Sequence, residues 1–87
     1  MEFKPLKIGN LIASLPIIQG GMGIGVSLSG LASAVAANGG IGIISAAQPG
    51  FDEPDFEKNS LAANLRALKR HIKEAIMKAK GGIIGVN

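Results

Sequence analysis

The sequence predicts a parallel α/β fold of which only part is present. Three observations predict it. Short apolar runs bounded by glycine alternate with segments of helical periodicity, in the order hairpin-β-α-β-α-β. Strands joined through helices must run parallel, and parallel sheets are covered on both faces. The chain has 87 residues, 47% of them hydrophobic, and a domain of that size hides only about 60–65% of its unfolded surface. There is more apolar material here than so small a body can bury, which implies missing neighbours.

The elements follow in order. Residues 3–15 read as a short hairpin, with Leu6 and Ile8 on one arm, Gly9-Asn10 at the turn and Leu11-Ile12-Ala13 on the other. Its arms are too short to stand alone, so they are expected to lie on something else. Leu15 to Gly21 is an apolar run between Pro16 and a glycine cluster, and its length and flanks favour a buried strand. The glycine-rich stretch from Gly20 to Gly25 then forms a loop. Ser27 or Ser29 is expected to cap a helix carrying Leu28, Leu31, Ala32, Val35 and Ala36 at helical spacing. Asn38-Gly39-Gly40 ends it, because glycine accepts the left-handed position after a helix.

Ile41 to Ala46 is the second expected strand. A polar loop from Gln48 to Asn59 carries Asp52, Glu53, Asp55 and Glu57, and Ser60 is expected to cap a long helix. Leu61, Leu65, Leu68, Ile72, Ile76 and Ala79 hold the 3-4 spacing along it, with Lys, Arg, Glu and a solvent-facing His71 on the other side. Gly81-Gly82 stop this helix, and Ile83 to Asn87 is the third strand.

Several function classes are set aside by composition. There is no cysteine, so no disulfide or thiolate metal site. The N-terminus lacks the layout of a secretory leader and no uninterrupted apolar run reaches the roughly 20 residues of a membrane span, so the expectation is a cytoplasmic chain without a membrane. The net charge of +3 comes from basic residues concentrated between Arg66 and Lys80, without interleaved aromatics. That pattern is a solvated helix face rather than a nucleic-acid surface. The carboxylates from Asp52 to Glu57 match no calcium-loop spacing and are expected to sit before a helix N-terminus for electrostatic reasons, with no metal.

The glycine-rich loop invites a phosphate reading, which its spacing rejects. A dinucleotide fingerprint started at Gly21 or Gly23 puts Val26 or Leu28 where the third glycine belongs, and the second strand ends without an acid. Gly25 to Gly30 has Walker spacing, but Leu31-Ala32 stand where Lys-Ser/Thr is required. The remaining reading is a backbone that approaches a flat ligand closely because no Cβ intervenes. Ligands of α/β barrels sit at the C-terminal ends of the strands. Gln19-Gly20-Gly21-Met22, Ser45-Ala46 and Asn87 occupy those ends, Gln19 doing so either as a site group or only as a partner for buried backbone.

Pro16-Ile-Ile-Gln-Gly-Gly-Met22, Asn38-Gly-Gly-Ile-Gly-Ile-Ile44 and Gly85-Val-Asn87, in this order and spacing, resemble the start of the nitronate monooxygenase (2-nitropropane dioxygenase) family, which includes flavin-dependent enoyl-acyl-carrier-protein reductases. The resemblance implies an FMN-dependent (β/α)8 TIM barrel, of which residues 1–87 are one partial domain, the N-terminal fragment. It implies oxidation of alkyl nitronates with O2, the alternatives being the enoyl reductase and a truncated non-catalytic fragment. Carried over by position, the cofactor-binding residues are Gly20, Gly21, Met22, Ser45, Ala46 and Asn87, with no catalytic or metal residue in this stretch. The piece alone is expected to be inactive, completed by the remainder of the barrel or self-associating through its open sheet edges.

Overall fold

The computed structural model describes residues 3–87; Met1 and Glu2, on which part of the leader reading falls, lie outside them. Among the described residues the chain is an α/β fold with two helices and two small sheets. Strand β1 (Leu6–Ile8) pairs antiparallel with β2 (Leu11–Ala13) in the register Leu6–Ala13, Lys7–Ile12 and Ile8–Leu11. Gly9 turns the hairpin at φ +57°, the left-handed backbone that a two-residue turn needs. The expected support for this hairpin is slight. Ala13 is buried, but Ile8, Leu11 and Ile12 are exposed, and the body is reached through Leu15, whose N–H donates to Gly39 O at 3.1 Å.

Helix α1 (Ser29–Ala37) leads into β3 (Ile41–Ile44), and α2 (Ser60–Lys78) leads into β4 (Ile83–Val86). β3 and β4 run parallel in the register Ile41–Ile83 to Ile44–Val86. The expected strand from Leu15 to Gly21 contracts to one parallel bridge, Ile18 to Ile41, on the opposite edge of β3. It is made by Ile41 N–H to Ile17 O at 2.8 Å and Gln19 N–H to Ile41 O at 3.0 Å. Pro16 brings no N–H to extend it at one end, and the chain turns away into glycines at the other. The parallel direction is as expected; the length is not.

The caps differ from expectation in detail. Neither Ser27 nor Ser29 caps α1. Leu28 takes the N-cap position without a side-chain bond, because both serines are spent elsewhere. The other end closes as expected, with Gly39 at φ +98°. Gly39 N–H donates to Ala36 O and Gly40 N–H to Val35 O, the two bonds of a Schellman motif. In α2 the cap is Asn59 rather than Ser60, its side chain accepting from Ala62 N–H at 3.4 Å.

Both helices lie on one face of the sheet. Ala32, Ile44 and Ala75 are fully buried together, with Leu28, Leu68, Ile72 and Ile84 packed around them. The approach is close because small residues meet: a Cβ added to Gly42 would collide with the Ala32 backbone of α1. On α2 the buried stripe is Ala63, Ala67 and Ala75, continued by Ala79 at the C-cap, with Leu68 and Ile72 half-buried. Leu61, Leu65 and Ile76, expected in the core stripe, are exposed. Alanines permit close packing, so the helix settles on its smaller side and turns its larger residues outward. His71 is a further correction. It is half-buried and faces α1, where Nδ1 lies 3.0 Å from Ser29 Oγ and accepts Ser29 N–H at 3.4 Å. Of the predicted acids, Glu53 and Asp55 do not sit on the α2 N-terminus but pair with Arg66 and Arg70, about two and three turns into the helix.

Candidate functional site

The site is built at the C-terminal ends of β3, β4 and the Ile18 bridge. Gln19 is its keystone. Past Ile18 the backbone leaves the sheet, yet the Gln19 side-chain amide continues the pairing: Oε1 accepts Ile43 N–H and Nε2 donates to Ile43 O, both at 3.1 Å. A primary amide presents the same donor and acceptor as a peptide unit, so it replaces one ladder step. Ser27 Oγ donates to the same Ile43 carbonyl and meets Gln19 Nε2. Ser27 is fully buried, and its own carbonyl accepts Ser45 N–H at 2.7 Å. Gln19 and Ser27 therefore fasten the two ends of the Gly20–Val26 loop at one point of β3.

The parallel ladder continues past the regular strands on the other side. Asn87 N–H donates to Ile44 O at 3.0 Å, and Ala46 N–H donates to Asn87 O at 2.9 Å. These bonds bring Ala46 and Asn87 side by side. Gly21 completes the cluster: a Cβ built on it would lie 2.9 Å from Asn87 Cβ, so only glycine fits against that side chain. Of the six predicted site residues, the structure brings Gly21, Ala46 and Asn87 together, with Ser45 directly behind. Ser45 is buried, and its hydroxyl oxygen accepts Ala47 N–H at 3.3 Å. Gly20 and Met22 lie on the exposed loop, and a Cβ on Gly20 would meet open space.

The cluster carries no ionisable side chain. It offers backbone amides and carbonyls, one carboxamide at Asn87 and a wall of small residues. Such a surface suits a flat, neutral, heteroaromatic edge with its own donors and acceptors, and it has no group to move a proton. The residues present fit the edge of a flavin ring on these grounds. The groups whose ionisation is shifted lie elsewhere. Burial, then Arg70, pushes His71 below its usual 6.5, and the Arg66 hydrogen bond lowers Asp55. No group of three or more His, Asp or Glu residues suited to a metal occurs among the described residues.

Sequence reasoning missed two contributors, Ser27 and Phe51. Ser27 is one of the two serines expected to cap α1, and no local signal marks a serine that instead bonds a strand carbonyl. Phe51 stands in the stretch expected to be a polar loop, where a large apolar residue directly after Pro49-Gly50 is a usable cue. Its ring lies against Gly25.

Fold and site together define an α/β protein with a glycine loop at its parallel strand ends. Within that class, the family model for nitronate monooxygenase matches residues 4–76, and the chain belongs to that oxidoreductase family. No curated protein and no solved structure matches the chain. No helix among the described residues is long and apolar enough to cross a membrane.

Proposed function

We propose that the chain is the N-terminal part of an FMN-dependent oxidoreductase of the nitronate monooxygenase type, completed as a (β/α)8 barrel. The observation that carries this reading is the convergence of Gly21, Ala46 and Asn87 at the strand ends, in a chain of that family. The one-sided sheet supports the barrel, since helices cover one face and Ile43 and Gly85 lie on the other, where a closed barrel has its interior. Gly20, Gly21 and Met22 hold the cofactor ring largely through backbone, Asn87 hydrogen-bonds its edge, and Ser45 and Ala46 lie beneath it. FMN, when bound, supplies the two-electron chemistry by which an alkyl nitronate becomes a carbonyl compound and nitrite, with oxygen as the final acceptor. The part of this chain is to orient the ring and keep water from one side of it. No residue here is assigned a proton transfer, and these 87 residues alone are expected to turn over no nitronate.

The test is expression of the full reading frame that contains this chain, followed by anaerobic titration. Bleaching of the flavin by ethyl nitronate supports the monooxygenase type. Bleaching by NADPH with reoxidation by an enoyl thioester assigns the reductase instead. A product that holds no flavin overturns the cofactor reading.

A further inference from the structure

The Gly20–Val26 loop is fastened at both ends by Gln19 and Ser27, but those anchors do not reach its middle. One bond crosses it, Val26 N–H to Gly23 O at 3.1 Å. The middle is held from outside. Gly25 stands at φ +77°, and a Cβ built on it would lie 2.9 Å from Cζ of Phe51, so the ring sits directly against the glycine backbone.

Phe51 comes from a stiff support. Gln48 adopts φ +47° and its carbonyl accepts Phe51 N–H at 3.1 Å, which closes a turn. Gly50 donates to Asn64 Oδ1 at 2.9 Å, while Asn64 Nδ2 donates to Gln48 Oε1 at 2.7 Å, so one α2 side chain ties both ends of the turn. Gly50 also lies so close to α2 that a Cβ there would come within 2.5 Å of the Ala63 backbone. Pro49 is fully buried between them. The turn is thus bolted to a helix, and its aromatic ring reaches out to the loop. Phe51 keeps 45% of its surface exposed, so it is not core filler.

We infer that Phe51 is a positioning residue, which fixes the glycine loop in the conformation that meets the flavin ring. This rests on the FMN reading above for what the loop meets, though the fixing itself does not. The ring acts through Gly25 rather than by touching the cofactor. Ordering a loop before binding removes an entropic cost from the binding step.

The test uses the protein expressed from the full reading frame that contains this chain, and two readouts. In NMR, the Phe51 ring is expected to shift a Gly25 Hα upfield, and Phe51→Ala is expected to abolish that shift. The same change should drop the heteronuclear NOE of Gly21, Gly23 and Gly25 towards the level of a free terminus, leaving Ala32, Ile44 and Ala75 unchanged. Phe51→Tyr should retain both signals. In flavin fluorescence quenching, Phe51→Ala should weaken FMN about tenfold and Phe51→Tyr less than twofold. Unchanged loop order in Phe51→Ala overturns the inference, as does equal FMN affinity with a disordered loop. Should Phe51→Ala not fold, Phe51→Leu takes its place, and a wild-type Gly25 Hα without the upfield shift overturns the inference with no variant at all. A wild-type chain that does not quench flavin strikes the FMN reading, and Phe51 is then judged on loop order alone.

Discussion

At the scale of single residues, Gln19 does the most with the least. Its amide is bonded at both ends, so truncation leaves Ile43 N–H without a partner in a half-buried place, while Ile43 C=O keeps only the Ser27 hydroxyl. Gln19→Ala is expected to cost about 2 kcal/mol, a large share of the stability of a chain this size, read as a lowered urea midpoint. The sequence left Gln19 open between ligand and backbone partner, and the structure shows the partner role. His71 was misread because helical periodicity reports which face is apolar, while the close packing of alanines decided which face docks. The consequence is a pH dependence. His71 faces Ser29 on α1, with Arg70 and Glu74 on its own helix and Asp52 and Glu53 on the preceding loop. Burial and Arg70 hold its pKa below 6.5 in the folded state, so the unfolded chain takes the proton more readily. Stability is therefore level above about pH 6.5 and falls as the pH drops below it. Urea midpoints at pH 7.5 and 5.5 should differ in the wild type, and His71→Gln should remove most of that difference.

At the scale of elements, glycine and alanine set the geometry. Gly42 admits the α1 backbone at Ala32, so Gly42→Ala must push helix from sheet, at a cost of roughly 2–3 kcal/mol. Gly39→Ala strains the backbone at φ +98° and meets only the movable Ser14 hydroxyl, so it should cost about 1 kcal/mol. Denaturant curves that rank the two in reverse would show that α1 slides freely on β3. Helices and strands β3 and β4 were legible because their signals are local: period, flanking glycine and a C-terminal Asn-Gly-Gly. The exposed stripe of α2 was not legible, since Leu61, Leu65 and Ile76 have the spacing of a core face and only the packing reveals otherwise. Leu61→Lys and Leu65→Lys should change the urea midpoint by no more than about 0.5 kcal/mol equivalent. A larger loss would return those leucines to the core.

For the whole molecule, the sheet decides. Its one covered face and its two edges, at the Ile17-Ile18 segment and at β4, leave backbone groups and apolar side chains uncovered. Exposed, hydrophobic edges template association. The chain alone is expected to sediment as concentration-dependent oligomers. Val86→Lys together with Ile18→Lys should shift it towards monomer, and unchanged sedimentation would place the association elsewhere. The convergence of Gly21, Ala46 and Asn87 was legible from topology, because parallel strands deliver all their C-terminal ends to one side. What topology cannot convey is the distance across that side, which rests on Ser27, Gln19 and Phe51.

The carboxamide at position 19 has one more consequence. A sheet that ends its pairing on a side chain has no further use for the peptide groups that follow. Gly20 to Gly25 are thus relieved of pairing duty in the sheet, and their route is set by where the chain must leave and rejoin at Ile43 and by the Phe51 ring against Gly25. Replacing or lengthening that stretch should leave the fold intact as long as Gln19 and Ser27 remain. The scaffold therefore separates a part that must be kept from a part that can be rewritten, and the boundary between them falls within a single residue.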